Sequence, residues 1–187
     1  AFLEMLEERV VTIGGINYKL PDLFIAFATQ NPLNIEGTEP LPKVLADRFI
    51  MKINVDYPSE NEEIEMIRLK EKDTQLEINK VVDIETILSL QSMVKNVSLD
   101  DDIANYIVRI VDATRSDIHV VMGASPRAII ALVNCAKAKA LIEGRNKVIK
   151  DDVTFLAKPV LSHRIVTRAT GGIGVSGIID GILASVD

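Results

Sequence analysis

From Phe24 to Ala28 the chain is apolar without a break, then passes through Thr29-Gln30-Asn31 and stops at Pro32. A continuous apolar run of this kind predicts a strand buried on both faces, as in the middle of a parallel sheet. A second apolar strand is predicted over Phe49–Val55. Ahead of both, Arg9–Ile13 and Ile16–Leu20 flank Gly14-Gly15, a two-residue loop suited to the positive φ of primed turns. That turn sets Ile13 opposite Ile16 and Val11 opposite Tyr18 on an apolar face. Thr12 then faces Asn17, and Val10 faces Lys19. Helical spacing of Phe2, Met5 and Leu6 predicts a first helix up to Glu8. No N-cap precedes it, so the chain is expected to be cut from something longer.

After a Pro- and Gly-rich loop from Pro32 to Pro42, a short helix carries Val44, Leu45 and Asp47-Arg48. Tyr57-Pro58-Ser59 breaks the pattern, and Ser59 with Glu62 forms a capping box for a helix with Ile64, Ile67 and Leu69 as its apolar stripe. Periodic apolar positions predict further helices over Ile84–Val94, Asp101–Thr114, Pro126–Glu143 and Asp151–Ile165, with a short extended piece at His119–Met122. The change from strand-rich to helix-rich predicts two units that meet near Tyr57-Pro58. The tail contains G-x-G-x-x-G at Gly172, Gly174 and Gly177. A dinucleotide fingerprint needs a preceding strand and an acidic residue about 20 positions later, so a flexible connection to a last helix is the reading.

Composition narrows the function classes. The chain has 187 residues, 48% hydrophobic and 26% charged, as expected of a globular protein with a sizeable core. A net charge of −6 argues against a generally basic nucleic-acid surface, and 4% aromatics without tryptophan argue against base-stacking platforms. The single cysteine, Cys135, has no partner for an internal disulfide and reads as a buried structural thiol in a reducing, cytoplasmic setting. No apolar stretch reaches membrane-spanning length.

Three residues are candidates for chemistry. In Gly123-Ala124-Ser125-Pro126-Arg127-Ala128, Ser125 reads as N-cap and Pro126 as the first helical residue. Arg127 then puts a cation in the first turn against the helix dipole. The residues leave two readings open: an anion held there by the guanidinium and free N–H groups, or a pairing with a nearby acid. Asn31 could form an Asx turn before Pro32 or orient a water or phosphate at the sheet edge. Arg48 could pair with Asp47 at the surface, which the residues alone favour, or reach a neighbouring subunit's phosphate. His119 and His163 with one cysteine give no metal-ligand spacing. Glu7-Glu8 and Asp100-Asp101-Asp102 read as capping and solvation. No G-x-x-x-x-G-K-[ST] phosphate loop occurs.

Taken together, the segments resemble the MoxR family of AAA+ ATPases over roughly residues 2–165. They are Phe2-Leu3-Glu4-Met5-Leu6-Glu7-Glu8-Arg9 with Val11-Thr12, Ala28-Thr29-Gln30-Asn31-Pro32, and Glu36-Gly37-Thr38-Glu39-Pro40-Leu41-Pro42. Asp47-Arg48-Phe49, Asp56-Tyr57-Pro58, Gly123-Ala124-Ser125-Pro126-Arg127-Ala128 and Pro159-Val160-Leu161-Ser162-His163-Arg164 follow in family order. The resemblance implies that Asn31 is sensor 1, positioning the attacking water. It implies that Arg48 is the arginine finger acting in trans, and that Arg127 is the sensor 2 arginine contacting ATP phosphate. The hairpin corresponds to the pre-sensor-1 hairpin, which tends to face the central pore. Lys43 stands where the family motif Leu-Pro-Glu has its acid.

The fold class so implied is an α/β remnant of a AAA+ P-loop NTPase core followed by an all-α helical lid, mainly helical overall. Residues 1–57 would form the end of the core, 58–165 the lid, and 166–187 a Gly-rich connection and terminal helix. The complete protein is expected to use ATP and Mg2+ to remodel or assemble client proteins, chaperone-like. It would act as a hexameric homo-oligomeric ring, with von Willebrand factor A-domain proteins as partners. Walker A and Walker B, which precede the first helix in the family, do not occur in this sequence. With them go the phosphate cradle, the Mg2+ ligand and the acid that activates water, so this chain by itself is expected not to hydrolyse ATP. The alternatives are a non-enzymatic helical interaction module and a related clade member such as a magnesium chelatase subunit. A replicative helicase is disfavoured by the net charge.

Overall fold

In the computed structural model, residues 2–30, 41–71, 78–168 and 174–186 are described. Helix α1 (Phe2–Glu8) ends at Arg9, whose φ of 54° turns the chain into the hairpin β1 (Val10–Ile13) and β2 (Ile16–Lys19). Gly14 and Gly15 take φ of 59° and 81°, which only glycine adopts without strain in succession. The register is the one the turn dictates, with Val10 opposite Lys19, Val11 opposite Tyr18, Thr12 opposite Asn17 and Ile13 opposite Ile16.

The two long apolar strands are corrections. Neither the Phe24–Ala28 run nor Phe49–Val55 pairs with another strand; Phe27 is 89% exposed and Val55 91%. A buried parallel strand needs ladder partners on both edges and helices on both faces. Among the described residues the only ladders are two antiparallel pairs, with one isolated parallel bridge between Ser98 and Lys147. Asn31 and Pro32 lie outside the described residues, as do residues 169–173 of the tail, Gly172 of the glycine motif among them.

Helix α2 (Lys43–Ala46) is short, and α3 (Glu60–Glu71) begins with half of the expected capping box: Ser59 N donates to Glu62 Oε2 at 2.7 Å, while the Ser59 hydroxyl donates to the same oxygen at 2.6 Å. The stripe of α3 finds no core: Ile64, Ile67 and Leu69 are exposed. Helix α4 (Ile84–Val94) starts at Asp83, whose carboxylate accepts the Thr86 N–H at 2.7 Å.

The core is helical. Helix α5 (Asp101–Ser116) buries Tyr106, Ile107, Ile110, Val111 and Thr114. It leads to β3 (Val120–Met122) and α6 (Pro126–Ile142), whose buried Ala128, Ala131, Ala136 and Ala140 make a narrow face that lets helices approach closely. Helix α7 (Lys150–Leu161) buries Val153, Leu156, Val160 and Leu161. It begins and stops earlier than its apolar pattern predicts, leaving His163 and Arg164 in the turn that follows. Its Asp152 is buried, accepts the Ile149 N–H, and takes a bidentate pair of bonds from Arg145 at 2.6 and 2.7 Å. The Arg145 guanidinium holds the Asp152 carboxyl below its usual range.

Two features of the tail go beyond the expected connection and last helix. A two-residue strand β4 (Val166–Thr167) pairs antiparallel with β3. Helix α8 (Val175–Val186) packs Ile178, Ile179 and Ile182 against the same core, with a 2.8 Å ion pair from Lys158 to Asp180. Gly177 falls in the first turn of α8.

Candidate functional site

Three segments far apart in sequence meet where α1 ends, α2 ends and α6 begins. Arg48 follows α2 by two residues. Its Nη2 lies 2.9 Å from Glu7 Oε1, and its Nη1 donates to the Val44 carbonyl. Arg127, the second residue of α6, reaches the same Glu7 Oε1 with Nη2 at 2.9 Å. Two guanidinium groups therefore converge on one oxygen. Arg48 above all, then Arg127, hold the Glu7 carboxyl below its usual range.

The loop that presents Arg127 is fixed by α5. Thr114 Oγ1 accepts the Ala124 N–H at 3.0 Å, and Arg115 Nε donates to the Ala124 carbonyl at 3.0 Å. Gly123 must be glycine here: a Cβ would stand 2.7 Å from the Thr114 carbonyl oxygen and from Arg115 Cα. Ser125 occupies the N-cap position, yet its hydroxyl caps nothing and instead donates to the Asp47 carboxylate at 3.0 and 3.2 Å. Diverting such a hydroxyl forgoes a capping bond worth about 1 kcal/mol.

Asp47 is therefore not the surface partner of Arg48. Its carboxylate also faces Arg127 Nη1 at 3.7 Å and Arg164 Nε at 3.3 Å. The latter is an ion-pair distance without hydrogen-bond alignment, since Arg164 Nε has no hydrogen-bond partner. Arg127 thus meets two acids, Glu7 and Asp47, which offset its unfavourable place in the first helical turn. Its side chain stays 56% exposed and open to a further anion.

Arg164 is buried and fastens residues 47–50 to the end of α7. It donates to the carbonyls of Asp47 at 3.2 Å, Phe49 at 2.7 Å, Ile50 at 3.0 Å, and Val160. Burial lowers its pKa, opposed by the Asp47 charge. His163 Nε2 is 2.9 Å from the Phe49 carbonyl, and burial pushes its pKa down. The Lys43 ammonium donates to the Ile165 carbonyl at 3.0 Å, a bond that an acid at this position could not make. That gives the lysine a physical reason to stand there.

Of the sequence candidates, the structure brings Arg48 and Arg127 together, while Asn31 lies outside the described residues. Glu7, Asp47 and Arg164 emerge only in three dimensions. Glu7 sits in an acidic pair that reads as solvation, and nothing in the local sequence marks it as the meeting point of two arginines. Cys135 is buried, and burial raises its thiol pKa, which fits a structural role.

The donor set fits phosphate oxygens: two forked cations meet at one anionic oxygen, and Arg48 Nε is buried without a hydrogen-bond partner. It does not fit Mg2+, since among the described residues no three acids, histidines or cysteines are placed to hold a metal. No helix among the described residues is long and apolar enough to cross a membrane.

Comparison with known proteins bears directly on this chain. The family model described as "ATPase family associated with various cellular activities (AAA)" matches residues 1–51, and the AAA lid domain model matches residues 112–175. YeaC of Bacillus subtilis, itself uncharacterized, is 42% identical over 190 residues, covering 100% of this chain and 59% of YeaC. Chaperone MoxR1 of Mycobacterium tuberculosis is 39% identical over 175 residues, covering 89% of this chain and 46% of that protein. A crystal structure of a protein described provisionally as an ATPase, from Cytophaga hutchinsonii, superposes with a TM-score of 0.90 at 34% identity. It covers 99% of this chain and 60% of its own. The chain thus spans about half to three-fifths of the length of these relatives. With the AAA model over residues 1–51, the AAA lid model over residues 112–175 and Chaperone MoxR1 39% identical across 89% of the chain, the chain belongs to the MoxR family of AAA+ ATPases.

Proposed function

We propose that this chain carries the phosphate-sensing arginines of a MoxR-type AAA+ ATPase that uses ATP binding and hydrolysis to remodel or assemble client proteins. The observation that carries the reading is the convergence of Arg48 and Arg127 on the single oxygen Glu7 Oε1, from two segments distant in sequence. Two forked cations at one point can exchange that carboxylate for a phosphate oxygen. Arg48 is the arginine finger, reaching the nucleotide of an adjacent subunit, and Arg127 is sensor 2. Because they share one point, both serve the same phosphate. Asn31 is sensor 1, at the end of the Phe24–Ala28 run.

In this reading residues 1–57 close the AAA+ core, 58–165 form the lid, and 166–187 are a connection and terminal helix. The complete protein is a cytoplasmic hexameric ring, with von Willebrand factor A-domain proteins as partners. ATP and Mg2+ are its cofactors; Mg2+ supplies charge neutralisation on the phosphates when bound. The name of the Mycobacterium tuberculosis relative, a chaperone, supports the remodelling role.

Two measurements test this. The 187-residue chain alone lacks a phosphate-cradling loop, so calorimetric titration with ATP is expected to give no binding in the micromolar range. A micromolar dissociation constant would contradict it. In the complete protein, Arg127→Ala is expected to lower kcat/KM for ATP by about tenfold, the loss of one charge-assisted hydrogen bond. Unchanged kinetics would return Arg127 to a surface ion pair.

A further inference from the structure

Asp47 and Arg48 are neighbours in sequence but serve different sides of one junction. Arg48 is held by Glu7 and by its own helix. The Asp47 side chain, 17% exposed, accepts the Ser125 hydroxyl and faces Arg127, both on the first turn of α6 or its cap. Glu7 then binds Arg127 as well. Glu7 binds Arg48 and Arg127, and Asp47, the chain neighbour of Arg48, faces Arg127 in turn and holds Ser125 beside it. Ser125 gives its hydroxyl to Asp47 although it stands at the N-cap, so the link is made at the expense of a local bond.

We propose that Asp47 is a positioning residue: through Ser125 and Arg127 it sets the lid arginine in register with Arg48, so that both guanidinium groups meet a phosphate as one unit. This rests on the reading of Arg48 and Arg127 as phosphate contacts. Asp47 touches no nucleotide itself. A change in lid position that moves Arg127 is carried through this carboxylate to the residue beside Arg48. The backbone of Asp47 is held by Arg164, whose Nη2 binds its carbonyl and whose Nε faces its carboxylate at 3.3 Å. Asp47→Asn is therefore read against its melting temperature, while Ser125→Ala loosens the same link without touching that ion pair.

The test is steady-state ATP turnover by the complete protein carrying Asp47→Asn, Ser125→Ala, Arg127→Ala, or Asp47→Asn with Arg127→Ala. Asp47→Asn keeps the shape and removes the charge. It is expected to lower kcat/KM about five- to tenfold, and Ser125→Ala about threefold, as for loosening charge-assisted contacts. If Asp47 acts through Arg127, the double variant falls no more than about twofold below Arg127→Ala alone. A double variant whose loss is the product of the two single losses overturns the proposal. So does wild-type turnover in Asp47→Asn when Arg127→Ala is impaired, and so does a loss in Asp47→Asn that disappears on cooling well below its melting temperature. Wild-type turnover in Arg127→Ala overturns both this proposal and the reading beneath it, so the two failures are told apart.

Discussion

Arg48→Ala in the complete protein is expected to reduce ATP turnover by about 10³-fold or more while leaving nucleotide binding nearly unchanged. An arginine finger acts on charge that develops in phosphoryl transfer, so its loss appears in kcat and not in ground-state affinity. In the structure Arg48 is poised and not free: Glu7 holds Nη2, the Val44 carbonyl holds Nη1, and Nε is buried without a partner. Glu7 itself is well exposed, which makes that contact exchangeable for a phosphate oxygen supplied from outside the chain. Mixing Arg48→Ala chains with chains defective in the phosphate-cradling lysine separates action in trans from action in cis. A ring containing both kinds has some interfaces where an intact arginine meets an intact cradle, so activity is expected to return. No recovery in such mixtures would remove the support for action in trans, and turnover within about threefold of wild type in Arg48→Ala alone would end the finger assignment.

How much of this could be read from the residues depends on how local the determinants are. The hairpin was fully legible, because a two-residue glycine loop fixes its own dihedral angles and hence its register. Helices α4, α5 and α6 follow their apolar period closely. The Phe24–Ala28 and Phe49–Val55 runs show the opposite case. Apolar content states that a segment can be buried, not that anything is present to bury it, and no described strand pairs with either. Strand β4 was missed because two residues carry no period. A last helix was legible after the glycine-rich segment, whereas the packing of Ile178, Ile179 and Ile182 on the core is a tertiary fact. Arg127 was legible as a misplaced cation at a helix start; that Glu7 and Asp47 resolve the misplacement is a tertiary fact. Lys43 was uninterpretable as a letter and becomes plain as a donor to the Ile165 carbonyl.

Arg164 carries the largest stability effect. Its side chain is only 2% exposed, and it bonds the carbonyls of Asp47, Phe49 and Ile50 besides that of Val160. Residues 47–50 belong to no strand, so these bonds stand in for the ladder that would otherwise satisfy their carbonyls. Removing one member of a buried charged pair costs about 3–5 kcal/mol. The lower end applies here, because the Asp47 carboxylate keeps the Ser125 hydroxyl. Arg164→Met, which preserves volume and removes the donors, is expected to destabilise the chain by about 3 kcal/mol, or roughly 6–12 °C in melting temperature for a chain of this size. Arg164→Lys should recover little, since a single ammonium cannot span several carbonyls as the guanidinium fork does. Thermal unfolding followed by circular dichroism decides it: a fall of less than about 2 °C in Arg164→Met would mean that the 47–50 segment is held by something else, such as Lys43, His163 and the Lys52 N–H bond to the Pro159 carbonyl. Because that segment places both Asp47 and Arg48, an intact fold in Arg164→Met should still show impaired turnover in the complete protein. Arg164, which fastens residues 47–50 to the end of α7, is thereby a determinant of where the proposed arginine finger stands.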